Sequence, residues 1–185
     1  MSVERFMLGR EDAVVLIVDV QERLAGVMEA RERVSANCVR LIEAAKVLGI
    51  PALVTEQYPK GLGHTLPEIL AALPEGAPVE KMTFDCCGEP AFMQRLAGTG
   101  RKKIMLAGME AHICVLQTAL SLLGNGYTVH AVSDAMCSRT EHNWRVGLEM
   151  MRDAGAVVTC TETALFQLLG IAGTDEFRAV SKMVK

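Results

Sequence analysis

The apolar run Ala13–Val18, closed by Asp19 (AVVLIVD), has no polar position that could mark a solvent face. A strand written that way is covered on both sides, so the sheet that holds it needs a layer above and a layer below. Similar runs recur at 51–55 (PALVT), 103–107 (KIMLA) and 156–159 (AVVT), with a weaker one at 78–80, and 127–133 (YTVHAVS) alternates like a strand. Between them the apolar spacing becomes helical. Val34, Cys38, Leu41, Ala45 and Leu48 share one face, and Gly49 stands where such a helix stops. Pro67 opens a short helix to Leu73, and Pro90 opens one to about Ala97, closed by Gly98 and Gly100. Residues 113–123 form another, ended by Gly124. Trp144, Leu148 and Met151 mark the next, behind the capping pattern Ser138-x-x-Glu141. Leu165, Leu168 and Leu169 follow the pattern Thr159-x-x-Glu162, and residues 174–185 read as a terminal amphipathic helix. Strand–helix alternation with non-alternating strands predicts an α/β three-layer sandwich around a doubly wound, mostly parallel sheet of about six strands. With 185 residues, half of them apolar, the chain fills one core. Residues 1–185 are therefore read as a single domain.

Charge and cysteine usage remove several functions. Nineteen basic against 22 acidic residues leave a net charge of −3, which gives no electrostatic grip on nucleic acid or an anionic membrane. No apolar stretch approaches the roughly 20 residues of a membrane span. The first twelve residues mix acids with bases and lack the core of a secretion signal. The six cysteines form no C-x-x-C pair, which suits a reduced, cytoplasmic protein.

In open parallel sheets, ligands bind beyond the carboxyl ends of the strands. Three reactive side chains fall there: Asp19 after the first strand, Lys81 after the weak third, and Cys114 in the first turn of the helix after 103–107. A helix amino terminus and a nearby ammonium favour a thiolate, and an aspartate can accept the thiol proton. Free N–H groups in the same turn can hold an oxyanion. Taken singly, each residue has a plain structural explanation: a small buried hydrophobe, a turn aspartate, a solvated lysine. Cys38, Cys137 and Cys160 are read in that structural way. Buried packing is also the better reading for Cys86 and Cys87, and a loop anchor for Asp134.

VDVQ around Asp19, K-x-x-F at Lys81 and Phe84, and GMEAHICVLQTA around Cys114 together resemble the isochorismatase-like cysteine hydrolase superfamily. TEQYPKGLG (55–63) and SDAMCSRTEHN (133–143) resemble its small isochorismatase-domain branch. The likeness runs from about Ala13 to Leu169. It implies that Cys114 is the nucleophile of a covalent acyl-enzyme, Asp19 the base and Lys81 the residue that orients them and stabilises the thiolate. It further implies a non-proline cis peptide at Met109–Glu110, eased by Gly108, with the N–H groups of Glu110 and Cys114 as oxyanion hole.

Nicotinamidase members bind a metal through an Asp and two His after the second strand. Residues 55–59 (TEQYP) offer only His64 nearby, and His112, His130 and His142 are scattered. We therefore expect no metal, no cofactor and no nicotinamide substrate. Isochorismate hydrolysis needs no cysteine, so Cys114 favours a small amide or related acyl substrate. Gln21, Gln57, Tyr58, Phe84 and His112 are candidate pocket walls, with core packing an equal reading for Phe84. A catalytically weak binding protein of the same fold is the alternative, and a nuclease a distant third. The family habit and the 11 methionines point to a homo-oligomer.

Overall fold

The computed structural model of the protein describes residues 3–74 and 76–184. Of the single domain expected over 1–185, Met1, Ser2, Glu75 and Lys185 lie outside the described residues, the last of them also part of the expected terminal helix.

Six strands form one sheet: β1 (Ala13–Val18), β2 (Ala52–Gln57), β3 (Val79–Lys81), β4 (Lys103–Met109), β5 (Thr128–Cys137) and β6 (Val157–Thr159). Their order is β3-β2-β1-β4-β5-β6, and every neighbouring pair is parallel. The helices are α1 (Glu22–Ala25), α2 (Arg31–Leu48), α3 (Pro59–Leu62), α4 (Pro67–Ala72), α5 (Pro90–Gly98), α6 (Leu116–Gly124), α7 (Glu141–Asp153), α8 (Thr161–Leu169) and α9 (Asp175–Ser181).

The alternation of β1 divides the core in two. Ala13, Val15 and Ile17 join the side chains of α2, α4 and α8 on one face. Val14, Leu16 and Val18 join those of α5, α6 and α7 on the other. All six are fully buried, and removing an aliphatic side chain from water contributes about 1.5–3 kcal/mol. The five apolar residues read onto one face of α2 are buried together, and Gly49 ends that helix in the left-handed conformation at φ 65°. Pro90 occupies the first turn of α5, as expected.

Several local expectations need correction. β2 runs on through Gln57, so Glu56 and Gln57 are strand residues, and the one-turn α3 follows them. Lys81 ends β3 rather than following it. β4 extends to Met109, and β5 continues past Ser133 to Cys137, because the register against β4 jumps from Leu106↔Ala131 to Gly108↔Met136. The extra residues bow out of the ladder there, as in a bulge. Thr140, not Ser138, caps α7, accepting from the Asn143 N–H. Cys160 precedes α8 without a side-chain cap, the amide of Thr161 being held instead by Asp134 Oδ1 at 2.8 Å.

The order places β1 and β4 at the centre, with the chain winding outward in opposite directions from each. A crevice at that switch point, beyond the strand ends, is where such sheets hold ligands.

Candidate active site

The ends of β1, β3 and β4 converge on one buried cluster. Asp19 follows β1 and turns the chain at φ 52°, a left-handed conformation that aspartate tolerates better than most residues. Its carboxylate is fully buried. Lys81 stands two strands away, roughly 10 Å at ordinary strand spacing, and its stem spans the end of β2. The Lys81 Nζ donates to Asp19 Oδ2 at 2.6 Å, Gln57 Oε1 at 2.8 Å, and the carbonyls of Thr83 and Phe84, both at 3.2 Å. Four acceptors around three ammonium protons leave the head no freedom to leave the carboxylate. The remaining side of Asp19 is occupied by Thr55, whose hydroxyl donates to Oδ1 at 2.7 Å.

Cys114 lies in the turn after β4 and is 6% exposed. Its thiol faces the Asp19 carboxylate, whose charge raises its pKa, and the Lys81 ammonium, whose charge lowers it. The structure thus gathers the three reactive side chains singled out above. The surroundings of the thiol oppose the expected thiolate. Burial first, then the Asp19 charge, push the thiol well above the ordinary cysteine range, and the Lys81 charge only partly opposes them. The resting group is a neutral thiol facing a carboxylate, not a thiolate. Desolvation of a buried sulfur anion works against the help from one ammonium already paired with a carboxylate.

The turn holding Cys114 begins at a cis peptide between Met109 and Glu110. Residues Ala111–Val115 then form a π-helical turn, in which the Val115 N–H reaches the Glu110 carbonyl at 3.3 Å, before α6 begins. The helix expected over 113–123 is therefore wider at its first turn, a form frequent at functional sites. The Glu110 side chain is tied to Arg139. Its Oε2 accepts from Arg139 Nε at 3.1 Å and from the Arg139 N–H at 3.3 Å.

The candidate wall residues occupy two levels. Gln21 and Gln57 lie beneath the cluster and are buried. Gln21 clasps the Gln57 backbone in both directions, its Oε1 accepting from the N–H at 2.7 Å and its Nε2 donating to the carbonyl at 3.0 Å. The Gln57 amide then donates to the Met82 carbonyl at 2.9 Å, which turns its oxygen toward Lys81. Tyr58 and Phe84, by contrast, are about half exposed, which sets aside core packing for Phe84. His112 Nδ1 lies 2.9 Å from Ser138 Oγ. Beside it, a recess of about 310 Å³ is lined by Arg33, Cys137, Ser138, Arg139 and Trp144 among others.

Two participants escaped the sequence reading. Thr55 had no signal beyond its strand, and Cys86 was read as packing. Cys86 is buried, but its sulfur lies 3.7 Å from Thr55 Oγ1. Burial and the Asp19 charge raise its thiol to about 11.

The residues at the end of β2 and just beyond it do not fit a metal ion. Glu56 Oε1 accepts from the Thr65 N–H at 2.6 Å and Oε2 lies 3.2 Å from His64 Nδ1, so this pair clasps a loop and supplies two donors where a metal needs more. Among the described residues no group of three or more His, Cys, Asp or Glu could hold a metal.

The buried pair yields a stability prediction. Lys81→Met leaves the Asp19 charge without its partner and is expected to cost about 3–5 kcal/mol. Thermal unfolding should show a fall of roughly 10 °C, on the order of 2–4 °C per kcal/mol for a domain of this size. In an Asp19→Asn background the same change should cost far less, since no buried charge is stranded. Equal losses in both backgrounds would mean that the pair carries no coupling.

The Isochorismatase domain family matches residues 13–163. A secreted isochorismatase effector, Isc1, of Phytophthora sojae is 40% identical, over 96% of this chain and 88% of its own. Isochorismatase domain-containing protein 2 of Bos taurus is 37% identical, over the whole of this chain and 90% of its own. The solved structure of MAR1 ribonuclease from Caenorhabditis elegans superposes with a TM-score of 0.90 at 36% identity, covering 96% of this chain and 92% of that one.

Proposed function

The chain belongs to the isochorismatase domain family, and from that premise we propose that it is a metal-independent cysteine hydrolase of small amides or related acyl compounds. One observation carries the reading. A carboxylate locked by an ammonium and a hydroxyl faces a buried thiol on the turn after the central strand. That arrangement suits a nucleophile whose proton leaves only as it attacks, because the base is in place and the thiolate is not formed in advance.

In the first step Cys114 Sγ attacks the acyl carbon while its proton passes to Asp19. The N–H groups of Glu110 and Cys114 hold the oxyanion. Asp19 then gives the proton to the departing amine as the C–N bond breaks, leaving a thioester. Water attacks that thioester, Asp19 takes its proton, and the thiol is restored with release of the acid. Lys81 remains an ammonium throughout and holds the carboxylate in line. Tyr58, Phe84 and His112 border the acyl pocket. The whole chain, residues 1–185, acts as one hydrolase domain, in the cytoplasm and as a homo-oligomer.

The ribonuclease name of the C. elegans protein raises a second reading, cleavage of RNA. A thiol suits acyl carbon better than phosphorus, and a net charge of −3 gives no general attraction to a polyanion. The test is a panel of small primary amides scored for ammonia release, together with their aldehyde analogues scored by intact mass. Ammonia release and an aldehyde adduct are expected for the parent, with both lost in Cys114→Ala and added RNA left intact. An adduct that persists in Cys114→Ala would overturn the assignment. Adduct formation at Cys114 without turnover of any amide would favour a binding protein of this fold.

A further inference from the structure

We infer that Thr55, backed by Cys86, is the positioning residue that aims the Asp19 carboxylate at the Cys114 thiol. This rests on Asp19 being the base that receives the thiol proton. A carboxylate held at one oxygen only can still swing about its terminal torsion, which has a broad energy well. Lys81 holds Oδ2 from β3, and Thr55 holds Oδ1 from β2 at 2.7 Å. Donors on two separate strands fix the plane of the group, so the lone pair left over keeps one direction. Thr55 is placed for this by the ladder itself. It stands in register with Val18, and its carbonyl accepts the Asp19 N–H at 3.2 Å, so backbone and side chain of one residue grip Asp19 together.

The direction of the bonds follows from proton counting. A carboxylate only accepts, so the single Thr55 hydroxyl proton points at Asp19. The Cys86 sulfur, 3.7 Å from Thr55 Oγ1, must then donate its own proton to that oxygen. Cys86 is suited to remain a donor, since its thiol is raised to about 11, and its N–H is held by Thr118 Oγ1 at 3.0 Å. A row of donors from Cys86 through Thr55 thus ends on the base and polarises toward it. Cys86 is fully buried and takes no part as a nucleophile.

The test uses iodoacetamide on the whole protein, with alkylation of Cys114 followed by peptide mass spectrometry across pH. Here Cys114 Sγ forms the bond to the methylene carbon, iodide leaves, and the proton passes to Asp19. Thr55→Val keeps the shape and removes the hydroxyl. Losing a bond to a charged group of roughly 1.5 kcal/mol corresponds to about tenfold. Alkylation near neutral pH should slow by that factor. The acid limb of the profile should move up, because the charged base has lost a donor. Thr55→Ser should restore both, and Cys86→Ala should change the rate less than threefold. Unfolding temperatures of all variants report whether the fold is kept. A Thr55→Val profile that superposes on the parent, or a Thr55→Ser variant as slow as Thr55→Val, would overturn the assignment. Alkylation needs no turnover, so a shifted limb in a protein that cleaves no amide would leave the positioning role standing while the hydrolase reading fails.

Discussion

Gly108→Ala is expected to yield no soluble folded protein. A Cβ at this position would lie 2.1 Å from the Val18 carbonyl oxygen and 2.6 Å from the Val18 nitrogen. Both are backbone atoms of the central strand and cannot step aside as a side chain would. Gly108 also holds φ 131°, a region that L side chains rarely enter. Relief would require parting β1 from β4 where Val18 and Gly108 are paired, next to Asp19 and Cys114. Such a clash belongs with the exceptional substitutions that cost more than about 4–5 kcal/mol, against a total stability of roughly 5–15 kcal/mol. Gly98→Ala is the control: no atom lies within 4 Å of its added Cβ, and alanine is the better helix former by about 1 kcal/mol. Soluble yield and far-ultraviolet circular dichroism decide it. A Gly108→Ala protein melting within a few degrees of the parent would show that the strands can separate without loss.

Gly108 also shows how far the primary order could be read. Its place before the Met109–Glu110 peptide was visible from the motif, but the reason for glycine there was not, because Val18 is 90 positions distant and meets it only through the sheet. The same divide runs through the site. Asp19, Lys81 and Cys114 were legible because each falls where an apolar run ends, and the alternation of strand and helix puts such ends on one edge. Thr55 was invisible because its function depends on lateral register with Val18. Cys86 read as packing because burial is the common fate of a lone cysteine, and nothing local reports a hydroxyl 3.7 Å away. Gln21 and Gln57 pointed to the right edge but not to its depth: backbone groups from Gln57, Gly63 and Met82 absorb their amides. The thiol's charge was misjudged for a related reason. Dipole and ammonium could be inferred from order along the chain, whereas desolvation depends on everything packed around the sulfur.

That misjudged charge leads to an expected result in which two readouts move in opposite directions. Asp19→Asn should reduce amide turnover by roughly 100- to 10,000-fold, the scale of a lost general base. Yet Cys114 should become easier to ionise. Of the influences on the thiol, the Asp19 charge raises it and Lys81 lowers it. With the carboxylate neutralised, burial still opposes the thiolate, but the ammonium is no longer offset. The sign is therefore downward: the alkaline rise in Cys114 alkylation should begin at lower pH in Asp19→Asn than in the parent. A resting ion pair of thiolate and ammonium predicts otherwise, since its thiol would already ionise early and the substitution would scarcely move the rise. Lys81 keeps Gln57, Thr83 and Phe84 as acceptors in the variant, so the cation stays in place, and an unfolding temperature confirms that the fold is retained. Turnover and alkylation falling together, with the alkaline rise unmoved, would mean that Asp19 governs neither the proton nor the charge of Cys114.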